Sequence, residues 1–142
     1  MSAYFDTSIW LSYYLRDSTY ANALALRNAN PGSLWTPWQA IEFNNALRTS
    51  VVTKKIPAKI VLQVGKALQS DLQQRNMLPH HIPVYTWWQE AETLSDAHAA
   101  TLGVRILDLL HVAAVRVLNA THFYTFDTRQ LTLAQAAGLQ TN

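Results

Sequence analysis

Cysteine is absent from this 142-residue chain, which excludes a disulfide scaffold, a zinc ribbon, an iron–sulfur site and a thiol nucleophile. Also missing is any apolar run approaching the ~18 residues of a membrane span. The opening MSAYFDTSIW has neither a basic n-region nor an apolar h-region, so the expectation is a soluble, cytoplasmic protein with no membrane association. No repeat, low-complexity tract, Gly/Ser linker or charge block divides the chain, and a single domain over residues 1–142 is expected. Charge is sparse as well: charged residues make up 14% against 49% hydrophobic. That is ample core for a domain that buries roughly 70% of the surface its unfolded chain exposes.

The formal charge is +2, from 11 Lys and Arg against 9 Asp and Glu, an ordinary value for solubility. Its distribution is more informative. If four of the acids share one pocket, the rest of the surface carries 11 bases against 5 acids. A basic body around an acidic hole suits a polyanionic substrate handled through metal ions.

Along the chain, Ala3-Tyr4-Phe5 reads as a short strand, and Asp6-Thr7-Ser8 can cap a helix through Leu15. Ser18-Thr19 opens a second helix that stops at Asn30-Pro31-Gly32, and Leu34-Trp35 makes a short strand. Thr36-Pro37 is an N-cap followed by proline at the first helical position, launching a helix through Val51 that contains Glu42. A further helix is expected from about Pro57 to Arg75. After the break at residues 79–83, Val84-Tyr85 reads as a strand and Thr86 restarts a helix that ends at Gly103. Residues 107–118 are apolar except Asp108, His111 and Arg116 and read as a central helix with most faces covered. Phe123 to Phe126 is β-prone, a helix follows from about Arg129 to Ala137, and Gly138-Leu139 leads into the tail. Alternation of this kind predicts an α/β fold with a short, mainly parallel central sheet flanked by helices, whose site lies outside the carboxyl ends of the strands.

Four acids sit where such a site would be. Asp6 and Asp127 end predicted strands and emerge at one sheet edge if those strands are parallel. Asp108 falls near the first turn of the apolar helix, where the dipole and free N–H groups favour a carboxylate. Glu42 stands between Ile41 and Phe43 on a helix that must turn a face to the core. Taken singly, each has an ordinary explanation as a cap, a turn residue or a solvated acid. Jointly, four carboxylates at compatible ends of short elements repel one another, and hard divalent cations such as Mg²⁺ or Mn²⁺ offset that repulsion while leaving positions for a phosphate.

Four motifs carry a resemblance: YFDTS with Asp6, TPWQAIEFNNALR with Glu42, ILDLLHVAAV with Asp108, and FYTFDTRQLTLAQAAGL with Asp127, spaced by 36, 66 and 19 residues. The ordered set, over nearly the whole chain, resembles the PIN-domain ribonucleases and in size and layout looks like a VapC-type toxin of a toxin–antitoxin pair. The resemblance implies a PIN-like fold and metal-dependent endonucleolytic cleavage of RNA that leaves 5′-phosphate and 3′-hydroxyl ends. Asp6, Glu42, Asp108 and Asp127 would be the catalytic acids and hold one or two Mg²⁺ or Mn²⁺ ions. Ser8 and Thr125 match hydroxyl positions that support the metal site. It further implies a cognate antitoxin and a homodimer.

Grip on RNA is expected from the basic residues of the middle third, Arg48, Lys54, Lys55, Lys59 and Lys66. The adjacent His80-His81 reads as a polar loop, His111 as a hydrogen-bonded histidine at the edge of the core, and the five tryptophans as core by default, with one of Trp87 and Trp88 exposed. Two other readings stand beside the nuclease: a PIN-like module that binds RNA or protein without cutting, and a nuclease for structured DNA. The intact acid set argues against the first, and the short chain leaves little room for the DNA-binding elements of the second.

Overall fold

The computed structural model describes residues 2–142 and has the element order β1 (Ala3–Phe5), α1 (Thr7–Leu15), α2 (Tyr20–Ala29), β2 (Ser33–Trp35), α3 (Pro37–Thr53), α4 (Ala58–Gln73), β3 (Met77–Pro79), α5 (Val84–Leu102), α6 (Ile106–Val117), β4 (His122–Tyr124), α7 (Thr128–Ala136), β5 (Gln140–Thr141). The chain divides into two compact units, one made of residues 2–6 and His81–Asn142, the other of Thr7–His80. Among the described residues, no helix is long and apolar enough to cross a membrane.

In the first unit β4 lies between β1 and β5, and both pairings are parallel, with Tyr4 opposite Phe123 and His122 opposite Gln140. Ala3, Tyr4 and Phe5 are all buried, the continuous apolar run of a strand covered on both faces. Burying Phe5 and Phe123 completely contributes about 1.5–3 kcal/mol each. Helix α6 brings Leu109 and the run His111 to Val115 into the core, while Ile106 and Leu107 at its start remain exposed. The expected cover on most faces therefore begins one turn into the helix. Gly103 ends α5 in the left-handed conformation at φ 61°, which glycine adopts without strain.

The second unit pairs β2 with β3 in parallel, Leu34 opposite Leu78. Helix α3 opens on a capping box, in which the Thr36 side chain accepts from the Gln39 N–H and Gln39 accepts from the Thr36 N–H, with Pro37 in the first turn. Trp10, Tyr14, Trp35 and Phe43 meet edge to face or tilted, with centroids 5.6 to 6.3 Å apart. Asp71 on α4 collects hydrogen bonds from the Tyr14 hydroxyl (2.6 Å), Arg27 Nη2 (2.9 Å) and Asn76 Nδ2 (2.9 Å), and the Arg27 guanidinium lies 4.8 Å from the centre of the Tyr13 ring. Burial and the Asp71 carboxylate both push the Tyr14 hydroxyl pKa upward, so the phenol stays a donor.

The expected alternation of strands and helices holds, with three corrections. Val84-Tyr85 is helical rather than extended: Pro83, at the N-cap of α5, accepts from the Trp87 N–H (2.9 Å), and the strand of this region is Met77–Pro79 instead. β4 stops at Tyr124 rather than Phe126, because Thr125 and Phe126 enter the turn that Asp127 closes as the N-cap of α7. The tail past Gly138 contains a strand, β5. Of the tryptophan pair, Trp87 is half-buried and donates to the Leu110 carbonyl (2.8 Å), while Trp88 is exposed.

Candidate active site

The parallel pairing of β1 with β4 carries one residue past the strand, where the Asp6 N–H donates to the Tyr124 carbonyl at 2.9 Å. This fixes the Asp6 side chain at the carboxyl edge of the sheet, where it is buried. Thr125, next in line after β4, donates its hydroxyl to Asp6 Oδ2 (3.0 Å), and the same hydroxyl oxygen accepts the Asp127 N–H (3.0 Å). One side chain thus orients Asp6 and the turn that presents Asp127. On the other side of Asp6, His111 Nε2 lies 3.7 Å from Oδ1, and His111 Nδ1 shares a 3.0 Å hydrogen bond with the Tyr4 hydroxyl. His111 is fully buried beside an acid rather than at the core edge, and both it and Asp6 can offer a ligand atom to a metal ion.

Asp108 lies in the first turn of α6 and is fully buried, a position the helix dipole favours for a negative charge. Its partner is Arg105, the N-cap residue of the same helix. Arg105 Nε donates to Asp108 Oδ2 (3.0 Å), Nη2 to Oδ1 (3.1 Å), and Nη2 also to Asp127 Oδ2 (3.3 Å). The hydrogen bonds and charge of Asp108, with a smaller contribution from Asp127, push the Arg105 pKa up. Asp127 spends its other oxygen, Oδ1, on the N–H groups of Arg129 (2.8 Å) and Gln130 (3.2 Å), capping α7. Asp127 is therefore both a helix cap and part of the acid group. Arg105 is the residue that sequence reading missed, although its place three positions before Asp108 at a helix start is a pairing distance on a helix.

Glu42 belongs to the second unit. It is half-buried on α3 and accepts a short hydrogen bond from the Thr7 hydroxyl, and Thr7 follows Asp6 directly in the chain. Ser8, half-buried, is the second residue of α1. Arg48 on α3, Lys54 and Lys55 just after it, and Lys59 and Lys66 on α4 are all exposed, as residues available to a polyanion must be.

The donor set fits a divalent cation. Carboxylate oxygens are hard ligands: in the first unit Asp6 stands beside the His111 imidazole, and Asp108 and Asp127 share the Arg105 guanidinium.

Parallel strands that deliver carboxylates beyond their carboxyl ends, completed by an acid in the first turn of a buried helix, define an α/β domain with an acid-lined site. The family model described as PIN domain matches residues 3–137, and the chain belongs to that family. Its fold is similar to that of VapC20 of Mycobacterium tuberculosis, a sarcin–ricin-loop-cleaving toxin, with a TM-score of 0.68 at 17% identity over 98% of this chain and 96% of that one. VapBC2 from Rickettsia felis, bound to a DNA fragment from its promoter, gives 0.67 at 16% identity over 100% and 98%. FitAcB from Neisseria gonorrhoeae gives 0.66 at 15% over 99% and 96%. No curated protein matches the chain in sequence.

Proposed function

We propose that this chain is a metal-dependent endoribonuclease and the toxin of a VapBC-type toxin–antitoxin pair, acting as a single PIN-like domain in the cytoplasm. The observation that carries the reading is the gathering of Asp6, Asp108 and Asp127 by Thr125 and Arg105 in a chain of the PIN family. The metal ligands in this reading are Asp6, Glu42, Asp108 and Asp127, and one or two Mg²⁺ or Mn²⁺ ions are held. Such an ion would supply neutralisation of phosphate charge and a more acidic bound water.

The chain's own residues supply the preorganisation. Thr125 aims Asp6 through its hydroxyl, and the first N–H groups of α7 lock Asp127 so that only Oδ2 faces outward from the cap. Asp108 sits in the first turn of α6, where the helix dipole favours a negative charge. Ser8 is assigned the corresponding orienting role on α1. Arg48, Lys54, Lys55 and Lys59 contact RNA phosphates, which makes binding weaken as salt rises.

The partners in this reading are an RNA substrate, for which the similar VapC20 supplies a precedent, and a cognate antitoxin. A second copy of the chain is the third, and the exposed Tyr85, Trp88 and Ile106 offer apolar surface for it.

The test is cleavage of total cellular RNA by the purified, antitoxin-free protein with Mn²⁺, with Mg²⁺ and with EDTA, beside Asp6→Asn. Discrete fragments that require metal and vanish in the variant are expected. Absence of Mn²⁺ binding in the wild-type protein, or metal-dependent cleavage retained by Asp6→Asn, removes the assignment.

A further inference from the structure

The carboxylate oxygens of Asp108 and Asp127 already have a cation. Arg105 takes both oxygens of Asp108 and the Oδ2 of Asp127, while Oδ1 of Asp127 is committed to capping α7. Those three oxygens are the ones Asp108 and Asp127 have to offer a divalent ion. Arg105 is also the more exposed partner: its side chain is 51% exposed, against 1% for Asp108 and 34% for Asp127. The guanidinium can therefore swing into water at little desolvation cost, whereas buried Asp108 cannot follow it. Among the described residues no aromatic ring lies over the Arg105 guanidinium, in contrast to Arg27, which lies over Tyr13.

We propose that Arg105 is the chain's own counter-cation for the acid cluster, seated on the oxygens a divalent ion would take, so that the Arg105 bridge and metal loading exclude each other. The inference rests on the reading that Asp108 and Asp127 are metal ligands. Arg105 is accordingly a positioning residue that keeps the two carboxylates together in the metal-free protein. The balance of charge follows directly: without a cation, Asp108 and Asp127 repel each other across the gap that one guanidinium now spans, and with a divalent ion in that gap a guanidinium alongside adds repulsion of the opposite sign.

The experiment is calorimetric titration of the full, antitoxin-free chain with Mn²⁺, comparing wild type, Arg105→Gln, Arg105→Lys and, as a control for removal of a surface charge, Arg75→Gln. Removing an ion pair of this exposure should tighten Mn²⁺ binding by about three- to ten-fold in Arg105→Gln. Arg105→Lys, which keeps the charge but cannot fork across two carboxylates, should fall between that variant and wild type. Arg75→Gln should stay within about two-fold of wild type, as expected for an exposed charge that is screened by salt. Thermal melts give a second readout: Arg105→Gln should melt lower than wild type without metal and gain more from added Mn²⁺.

A purely structural Arg105 predicts lower stability with metal affinity unchanged or weakened, and that result overturns the inference. Should Arg105→Gln fail to fold, Arg105→Lys decides alone, and an affinity equal to or weaker than wild type counts against it. Wild-type protein that binds no Mn²⁺ overturns this inference and the metal-centre reading together, whereas wild-type binding with no gain in either Arg105 variant overturns only the role of Arg105.

Discussion

Two acids in this molecule, half-buried Asp71 and fully buried Asp108, are each met by an arginine, and the contrast between them lies in how many donors each carboxylate receives. Asp71, in the unit Thr7–His80, receives Tyr14, Arg27 and Asn76, and its arginine is itself largely covered, with 20% of the side chain exposed. There one carboxylate has several donors, so burial leaves no charge wanting a partner. In the other unit a single guanidinium divides itself between Asp108 and Asp127 while Asp6 stands in the same unit against Thr125 and His111. There carboxylates outnumber cations. A fold selected only for stability has no reason to keep such an excess, and the proposed metal site accounts for it.

The comparison breaks most sharply under neutralising substitutions. If the proposed metal site is right, Asp6→Asn is expected to cut metal-dependent RNA cleavage by more than about a hundred-fold, because the proposed ligand loses its negative charge. Asparagine can still accept the Thr125 hydroxyl, so the melting temperature of the metal-free variant should equal or exceed that of wild type. Asp71→Ala should behave in the opposite way. It leaves Tyr14 and Arg27 without their acceptor in a covered environment, and should lower the unfolding free energy in urea by about 2–3 kcal/mol. An Asp6→Asn protein that melts well below wild type would show that the acid cluster is as satisfied as Asp71, and the distinction between the two regions would fail.

How much of this was legible in the sequence depended on the range of the interactions. Local chemistry was readable: Thr36-Pro37 announced the cap of α3, Gly103 announced the end of α5, and the strand-ending pattern placed Asp6 beyond β1. The meeting of Thr125 with Asp6 was approachable through the expectation of parallel strands, since a parallel register brings equivalent ends together. The Asp71 hub was not readable, because its partners Tyr14 and Arg27 lie 57 and 44 residues away and no local pattern marks them. Val84-Tyr85 misled because a β-branched residue followed by an aromatic has strand propensity, which the N-terminal geometry at Pro83 overrode. Arg105 reads in sequence as an ordinary base at a helix start, and only the fold brings Asp127, 22 residues on, to its guanidinium.

The turn that feeds Arg105 into the acid group offers a smaller test. Gly103 holds φ 61° with nothing within 4 Å of where a Cβ would sit, so Gly103→Ala meets no clash and carries only the conformational cost, about 1 kcal/mol. Chemical denaturation should show that loss with an unchanged denaturant slope. A much larger loss would mean that the path of residues 103–105 is strained by the bridge it delivers, and that Arg105 is less free to leave its carboxylates than its exposure indicates.

The smallest effect concerns Asp17, a second acid in the donor-rich style of the second unit. Burial pushes its carboxyl upward, but hydrogen bonds from the Ser12 hydroxyl (2.6 Å) and from the Thr19 N–H and hydroxyl (2.9 Å each) outweigh that and hold it below the ordinary 3.8. A carboxylate with a lowered folded pKa contributes stability that is fully present above its unfolded value and is lost as pH falls through the folded one. Ser12→Ala removes one donor and brings the two values closer. The variant should therefore melt slightly below wild type at about pH 7, and the gap between them should close as pH falls below about 3.8. Because Asp17 is mostly exposed, solvent screens the contribution and the gap stays small. A gap that instead widened toward acid would mean that the donors favour the protonated carboxyl, contrary to the pattern by which this unit satisfies its acids.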